Sequence, residues 1–82
     1  MKVSLSSKAD RQLMKLPRPA HSSLIAKIKM LSDDPYSWKA VKLADQNVWR
    51  VRDGDYRILY TIDKRKKEVS ILSIAHRRDV YR

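Results

Sequence analysis

The sequence predicts an α+β domain in the order β-α-α-β-β-β, with a helical hairpin packed on one face of a small, mostly antiparallel four-stranded sheet. Three observations predict it. A short run of alternating polar and apolar residues opens the chain. Two apolar stripes at helical spacing follow within residues 7–33. Three runs rich in β-branched and aromatic residues then fill most of 48–75, separated by turn signals. The 82 residues make one domain, residues 1–82. A domain this small buries only roughly 60–65% of its unfolded surface.

Lys2-Val3-Ser4-Leu5 alternates and reads as the first strand. Ser7 followed by Asp10 resembles a capping box that opens a helix. Ala9, Leu13 and Leu16 give that helix its apolar stripe, and Pro17 stops it. Arg18-Pro19 starts a second helix, since proline is tolerated in the first turn. Its stripe is Leu24, Ile25, Ile28 and Leu31, with Lys27 and Lys29 facing out, and Asp33-Asp34-Pro35 ends it. Residues 35–47 form a connection without clear periodicity, expected to be pinned by Trp38, Val41 and Leu43, with Lys39 and Lys42 adding charge.

Strands are expected at about 48–52, 55–62 and 67–75. Asp53-Gly54 is a strong two-residue hairpin signal. With those two as the loop, Arg52 stands opposite Asp55, Val51 opposite Tyr56, and Arg50 opposite Arg57. A loop of Asp63-Lys64-Arg65-Lys66 pairs Ile62 with Lys67, Tyr60 with Val69 and Ile58 with Ile71. These registers put Trp49, Val51, Tyr56, Ile58, Tyr60, Val69 and Ile71 on one apolar face, which the helices cover. The opposite face carries Arg50, Arg52, Asp55, Arg57 and, past the strand end, His76.

Charge narrows the function. There are 19 Lys+Arg against 9 Asp+Glu, a net +10, which calls for a polyanionic partner. The chain has no cysteine, which removes disulfides and thiolate chemistry and suits a reducing cytoplasm. No apolar run reaches the ~18 residues of a membrane span, and the first residues lack a signal-peptide core, so a cytoplasmic location is expected. No cluster of carboxylates points to a two-metal nuclease, and no metal or other cofactor is expected.

Two arginines directly opposite each other repel, which suggests an anion between them. Arginine holds phosphate bidentately, as lysine cannot. The tail from His76 to Arg82 adds the nearby proton carriers. Histidine titrates in the neutral range, and Tyr81 offers a hydroxyl and a ring on which a base can stack. Such parts suffice for RNA cleavage. A base takes the ribose 2′-hydroxyl proton, the oxygen attacks the adjacent phosphorus, cations stabilise the phosphorane, and an acid protonates the leaving 5′-oxygen.

The string WRVRDGDYRILY, followed by a strand and then HRRDVYR, resembles the RelE/ParE toxin superfamily of toxin–antitoxin modules over essentially the whole chain. The resemblance implies one of two activities. RelE-like members are ribosome-dependent mRNA interferases that cut mRNA in the ribosomal A site; ParE-like members poison DNA gyrase without a nuclease site. It also implies a cognate antitoxin, expected to be acidic and encoded next door. By position, Arg50 and Arg52 stand where RelE-type enzymes often carry two lysines. Arg57 matches the arginine of the YR-hydrophobic-hydrophobic-Y pattern, Arg77 that of the last-strand motif, and Tyr81 the C-terminal tyrosine. The candidate catalytic residues are thus Arg57, Arg77, Tyr81 and His76, and the candidate phosphate-binding residues Arg50, Arg52 and Arg78. Arginine is a poor proton acceptor, its pKa exceeding ~12, so Tyr81 or His76 is left as the base. Strict alternation sends Arg77 to the face away from Arg57, so the tail must twist for Arg77 to join the site. A basic RNA-binding module without cleavage is the third reading of the charge.

Overall fold

The computed structural model describes residues 1–36, 39–43 and 47–80, with the backbone alone for 79 and 80. The elements are β1 (Lys2–Leu5), α1 (Ser7–Met14), α2 (Arg18–Asp33), β2 (Val41–Lys42), β3 (Trp49–Asp53), β4 (Tyr56–Asp63), β5 (Glu68–His76) and α3 (Arg77–Val80). The sheet order is β1-β5-β4-β3-β2, with β1 parallel to β5 and the remaining pairs antiparallel. The α+β class and the helical hairpin are as expected; the sheet has five strands where four were expected. The extra strand, β2, lies in the connection that showed no periodicity, because two residues are too few to establish a period.

Helix α1 begins one residue earlier than the capping pattern suggested. Ser6, extended at φ −65° and ψ 162°, is the N-cap, and its Oγ accepts from the Ala9 N–H at 3.0 Å. The same hydroxyl donates to the Leu72 carbonyl at 2.7 Å, fastening the helix start to β5. Helix α2 starts behind Pro17 with no side-chain cap, and Pro19 occupies its first turn. The core gathers Ala9 and Leu13 of α1, Leu24, Ile28 and Leu31 of α2, and Val51, Ile58, Tyr60, Ile62, Val69, Ile71 and Ile74 of the sheet. Trp49 and Tyr56 pack against its margin. Val41 does not anchor the connection: it is 48% exposed on the edge strand. Trp38 lies outside the described residues.

The β3–β4 loop is Gly54-Asp55, not Asp53-Gly54. Gly54 has φ +61° and Asp55 has no positive φ, the pattern of a type II′ turn, which wants glycine first. The pairs are therefore Asp53 with Tyr56, Arg52 with Arg57, Val51 with Ile58 and Arg50 with Leu59. Sliding a two-residue loop by one position changes every cross-strand partner but no side chain's face. The β4–β5 turn slides likewise, so that Asp63 faces Glu68, Ile62 faces Val69 and Tyr60 faces Ile71. Asp63 Oδ1 accepts from the N–H groups of Arg65 and Lys66, at 3.0 and 3.1 Å, which fixes the turn.

Beyond this point the strands depart from simple alternation. Tyr60 pairs with Ile71, yet Leu59 pairs with Ser73, so a bulge inserts one residue into β5. From there Ile74 faces the core and Ala75 the open face. The bulge occurs where β1 ends. Ser6 continues along β5 with its N–H on the Ile71 carbonyl (2.9 Å), and Gln12 of α1 replaces the missing strand by accepting the Ile74 N–H on Oε1 at 2.6 Å.

A candidate phosphate pocket on the open face

On β3 the side chains alternate, Trp49 and Val51 towards the helices and Arg50 and Arg52 towards solvent. Asp53 faces the helices too, accepting a hydrogen bond from the Ser23 hydroxyl at 2.6 Å. On β4, Arg57 stands between Arg52 of β3 and Ala75 of β5. Ala75 is the smallest side chain, short of glycine, that β5 could set beside Arg57. The bulge puts Ala75 there. It also makes Arg77 the next residue to reach the open face, since His76 turns inwards.

Arg77 is the first residue of α3, and its N–H donates to the Asp55 carbonyl at 2.6 Å. This ties the tail to the tip of the β3–β4 hairpin. The result is a pocket of about 240 Å³ lined by Arg52, Gly54, Asp55, Tyr56, Arg57 and Arg77. Three arginines and one aspartate thus line one pocket. Arg52 also borders a neighbouring pocket of about 260 Å³, shared with Lys39, Val41 and Arg50. The sequence presents Lys39 only as added charge; the β2–β3 pairing brings it to the same pocket as Arg50. Among the described residues no three His, Cys, Asp or Glu side chains gather to hold a metal.

The twist required for Arg77 to join Arg57 is supplied by the β5 bulge. The same bulge removes His76 from the arginine face, contrary to the sequence expectation. His76 pairs with Tyr56 on the helix side, their rings meeting edge to face at 5.0 Å, beside a cavity lined by Gln12, Lys15, Leu16, Pro17 and Ile74. Its Nδ1 accepts the Arg78 N–H at 3.1 Å. Arg78 is exposed, and Tyr81 lies outside the described residues.

The profile of the family described as ParE toxin of type II toxin–antitoxin systems, parDE, matches residues 3–81. The chain belongs to that family. Within the wider RelE/ParE superfamily, the toxin is 30% identical to a chain of the RelBE2 toxin–antitoxin complex of Mycobacterium tuberculosis, at a TM-score of 0.82 over 93% of this chain and 96% of that one. The isolated RelE toxin of E. coli superposes with a TM-score of 0.82 at 20% identity, over 98% and 89% of the two chains. A YoeB/ParE toxin from Agrobacterium tumefaciens gives 0.80 at 12% identity, over 93% and 98%. The last two share the fold with this toxin. Comparison with curated protein sequences gives no significant match.

Proposed function

We propose that this toxin is a ribosome-dependent mRNA endonuclease that cuts in the A site. The observation that carries the reading is the convergence of Arg52, Arg57 and Arg77 in one open pocket. A sheet that places like charges opposite each other gives up stability, and a bound phosphodiester offsets that cost. In this reading Arg52 and Arg57 grip the scissile phosphate, with Arg50 and Arg78 on neighbouring phosphates. Arg77 stabilises the charge on the phosphorane or helps deliver the proton to the leaving oxygen. The 2′-oxygen forms its bond to phosphorus as the P–O5′ bond breaks, leaving a cyclic phosphate and a 5′-hydroxyl. Of the two candidate bases, His76 stands on the helix side. Tyr81, which matches the terminal tyrosine of RelE-type motifs, acts as a phenolate and takes the proton from the 2′-hydroxyl.

The M. tuberculosis relative was solved in its RelBE2 toxin–antitoxin complex, and E. coli has also yielded an intact RelBE toxin–antitoxin complex. An antitoxin is therefore assigned here too, its acidic segment answering the +10 charge. Co-expression with the adjacent reading frame yields a stable complex if this is right.

The family profile, which is that of ParE, favours a second reading: a non-enzymatic inhibitor of DNA gyrase. One pair of assays separates the two. The toxin is added to a reconstituted translation reaction, with mRNA read by primer extension, and to a gyrase supercoiling reaction. A-site cuts with unaffected supercoiling support the interferase. Intact mRNA with blocked supercoiling overturns it in favour of the second reading.

A further inference from the structure

His76 faces the helix side of the sheet, away from the arginines. It sits where β5 turns into α3, half-buried against the Tyr56 ring. Two hydrogen bonds hold the turn that follows. The Arg77 N–H donates to the Asp55 carbonyl at 2.6 Å, and the Arg78 N–H donates to His76 Nδ1 at 3.1 Å. The first is backbone to backbone. The second exists only while Nδ1 carries a lone pair, that is, in the neutral ring.

Among the described side chains, the charged groups beside the ring are cations. Lys15, at the end of α1, lines the same cavity, and Arg77 and Arg78 follow directly on α3. Tyr56 of β4 is the uncharged ring partner. Of the hairpin carboxylates, Asp53 accepts from Ser23, and Asp55 lines the arginine pocket on the other face. A proton on Nδ1 would confront the Arg78 N–H with a second donor and add a fourth cation to Lys15, Arg77 and Arg78.

We propose that His76 is a positioning residue of the arginine pocket, whose neutral ring holds the turn that aims Arg77 and whose protonation releases it. The proposal rests on reading that pocket as a phosphate site. It predicts a pH dependence opposite in sign to simple electrostatics. An added positive charge near an anion site ordinarily tightens binding, whereas here acid loosens it, because a guanidinium is lost from the pocket.

The probe is a short 2′-O-methyl RNA oligonucleotide, which cannot be cleaved, titrated against the isolated toxin between pH 8 and pH 5 at constant ionic strength. Wild type loses at least threefold in affinity across this range, in which histidine changes charge. His76→Asn, whose Oδ1 stands where Nδ1 does and cannot titrate, keeps its affinity. His76→Phe binds weakly at every pH. Wild-type affinity that is flat or rises in acid overturns the proposal, as does a His76→Asn profile that falls like wild type. An Arg52→Ala protein that binds RNA as tightly as wild type at pH 8 instead overturns the phosphate reading. A second measurement is independent of RNA. In the ¹⁵N-labelled toxin the Arg78 amide proton titrates in step with the His76 ring, and this response vanishes in His76→Asn; an Arg78 amide that ignores the ring overturns the positioning role.

Discussion

Arg52 and Arg57 are direct cross-strand partners on the open face of the β3–β4 hairpin, and both line the pocket that Arg77 completes. Like charges so placed destabilise a sheet by up to about 1 kcal/mol. Arg52→Gln should therefore leave stability unchanged or raise it by a few tenths of a kcal/mol, measured by urea unfolding. The same change should weaken RNA binding about tenfold or more, the worth of a charge-assisted hydrogen bond. It should also flatten the salt dependence of binding by about one phosphate contact. A variant that is both less stable and equally tight in binding refutes the assignment.

Arg77 is exposed and holds its place through its backbone, so truncating its side chain spares the fold. Arg77→Ala should cut single-turnover mRNA cleavage on ribosomes by about 10²–10³-fold, the usual cost of removing one group that stabilises developing charge. Its unfolding midpoint should match wild type. Cleavage within a few-fold of wild type would remove Arg77 from the chemistry.

Tyr60 is fully buried, and its hydroxyl donates to the Pro35 carbonyl at 2.7 Å. Burial, helped by the nearby negative charge of Asp34, pushes this phenol up to about 12. Below pH ~10 the hydroxyl is protonated whether the chain is folded or not, and its ionisation adds no pH dependence to stability. Between about pH 10 and about 12 the unfolded chain ionises while the folded one holds its proton, so stability falls as pH rises, by about 2–3 kcal/mol in all. Tyr60→Phe should cost about 1–3 kcal/mol at neutral pH, because the Pro35 carbonyl loses its donor. It should also remove this part of the alkaline decline. Parallel unfolding curves at pH 8 and pH 11 for both proteins check the two effects together.

Gln12 accepts the Ile74 N–H where β1 has run out. Gln12→Leu leaves that donor without its partner and should cost about 1–3 kcal/mol. The loss should be local. Hydrogen exchange at Ile74 should quicken more than at Val69, which is paired on both sides, by β1 and β4. Uniform quickening would mean that the contact does nothing specific for the bulge.

The faces of the sheet were legible in the sequence even though its registers were not. Both hairpin loops lie one residue later than expected, and such a slide conserves parity, so Val51, Ile58, Tyr60, Val69 and Ile71 kept the buried face assigned to them. The opposition of two arginines survived as well, with Arg52 taking the place given to Arg50. The bulge was not read, and it decides the site. Its signal was present in the spacing: strict alternation after Ile71 would bury Ser73 and Ala75 and expose Ile74, which makes poor chemical sense. An apolar step of three within a strand of period two marks an inserted residue. The two-residue β2 and the place of Lys39 beside Arg50 had no local signal, because both depend on a pairing formed with a distant segment.

Strand β5 follows every other strand in the chain, yet it lies between β1 and β4 in the sheet. Ser4 and Ser70, whose hydroxyls meet at 3.4 Å across the β1–β5 pair, are 66 positions apart in the chain. Helices α1 and α2 and the β3–β4 hairpin can form from neighbouring residues, but β1 has no partner until β5 arrives. Closing so long a loop carries an entropic penalty before any contact rewards it. The bulge, the alanine beside Arg57 and the turn that aims Arg77 all belong to this late strand or adjoin it. Under the proposed reading of the pocket, this topology ties toxicity to assembly: until β5 joins the sheet, the chain carries the β3–β4 arginines without Arg77, and the pocket is incomplete.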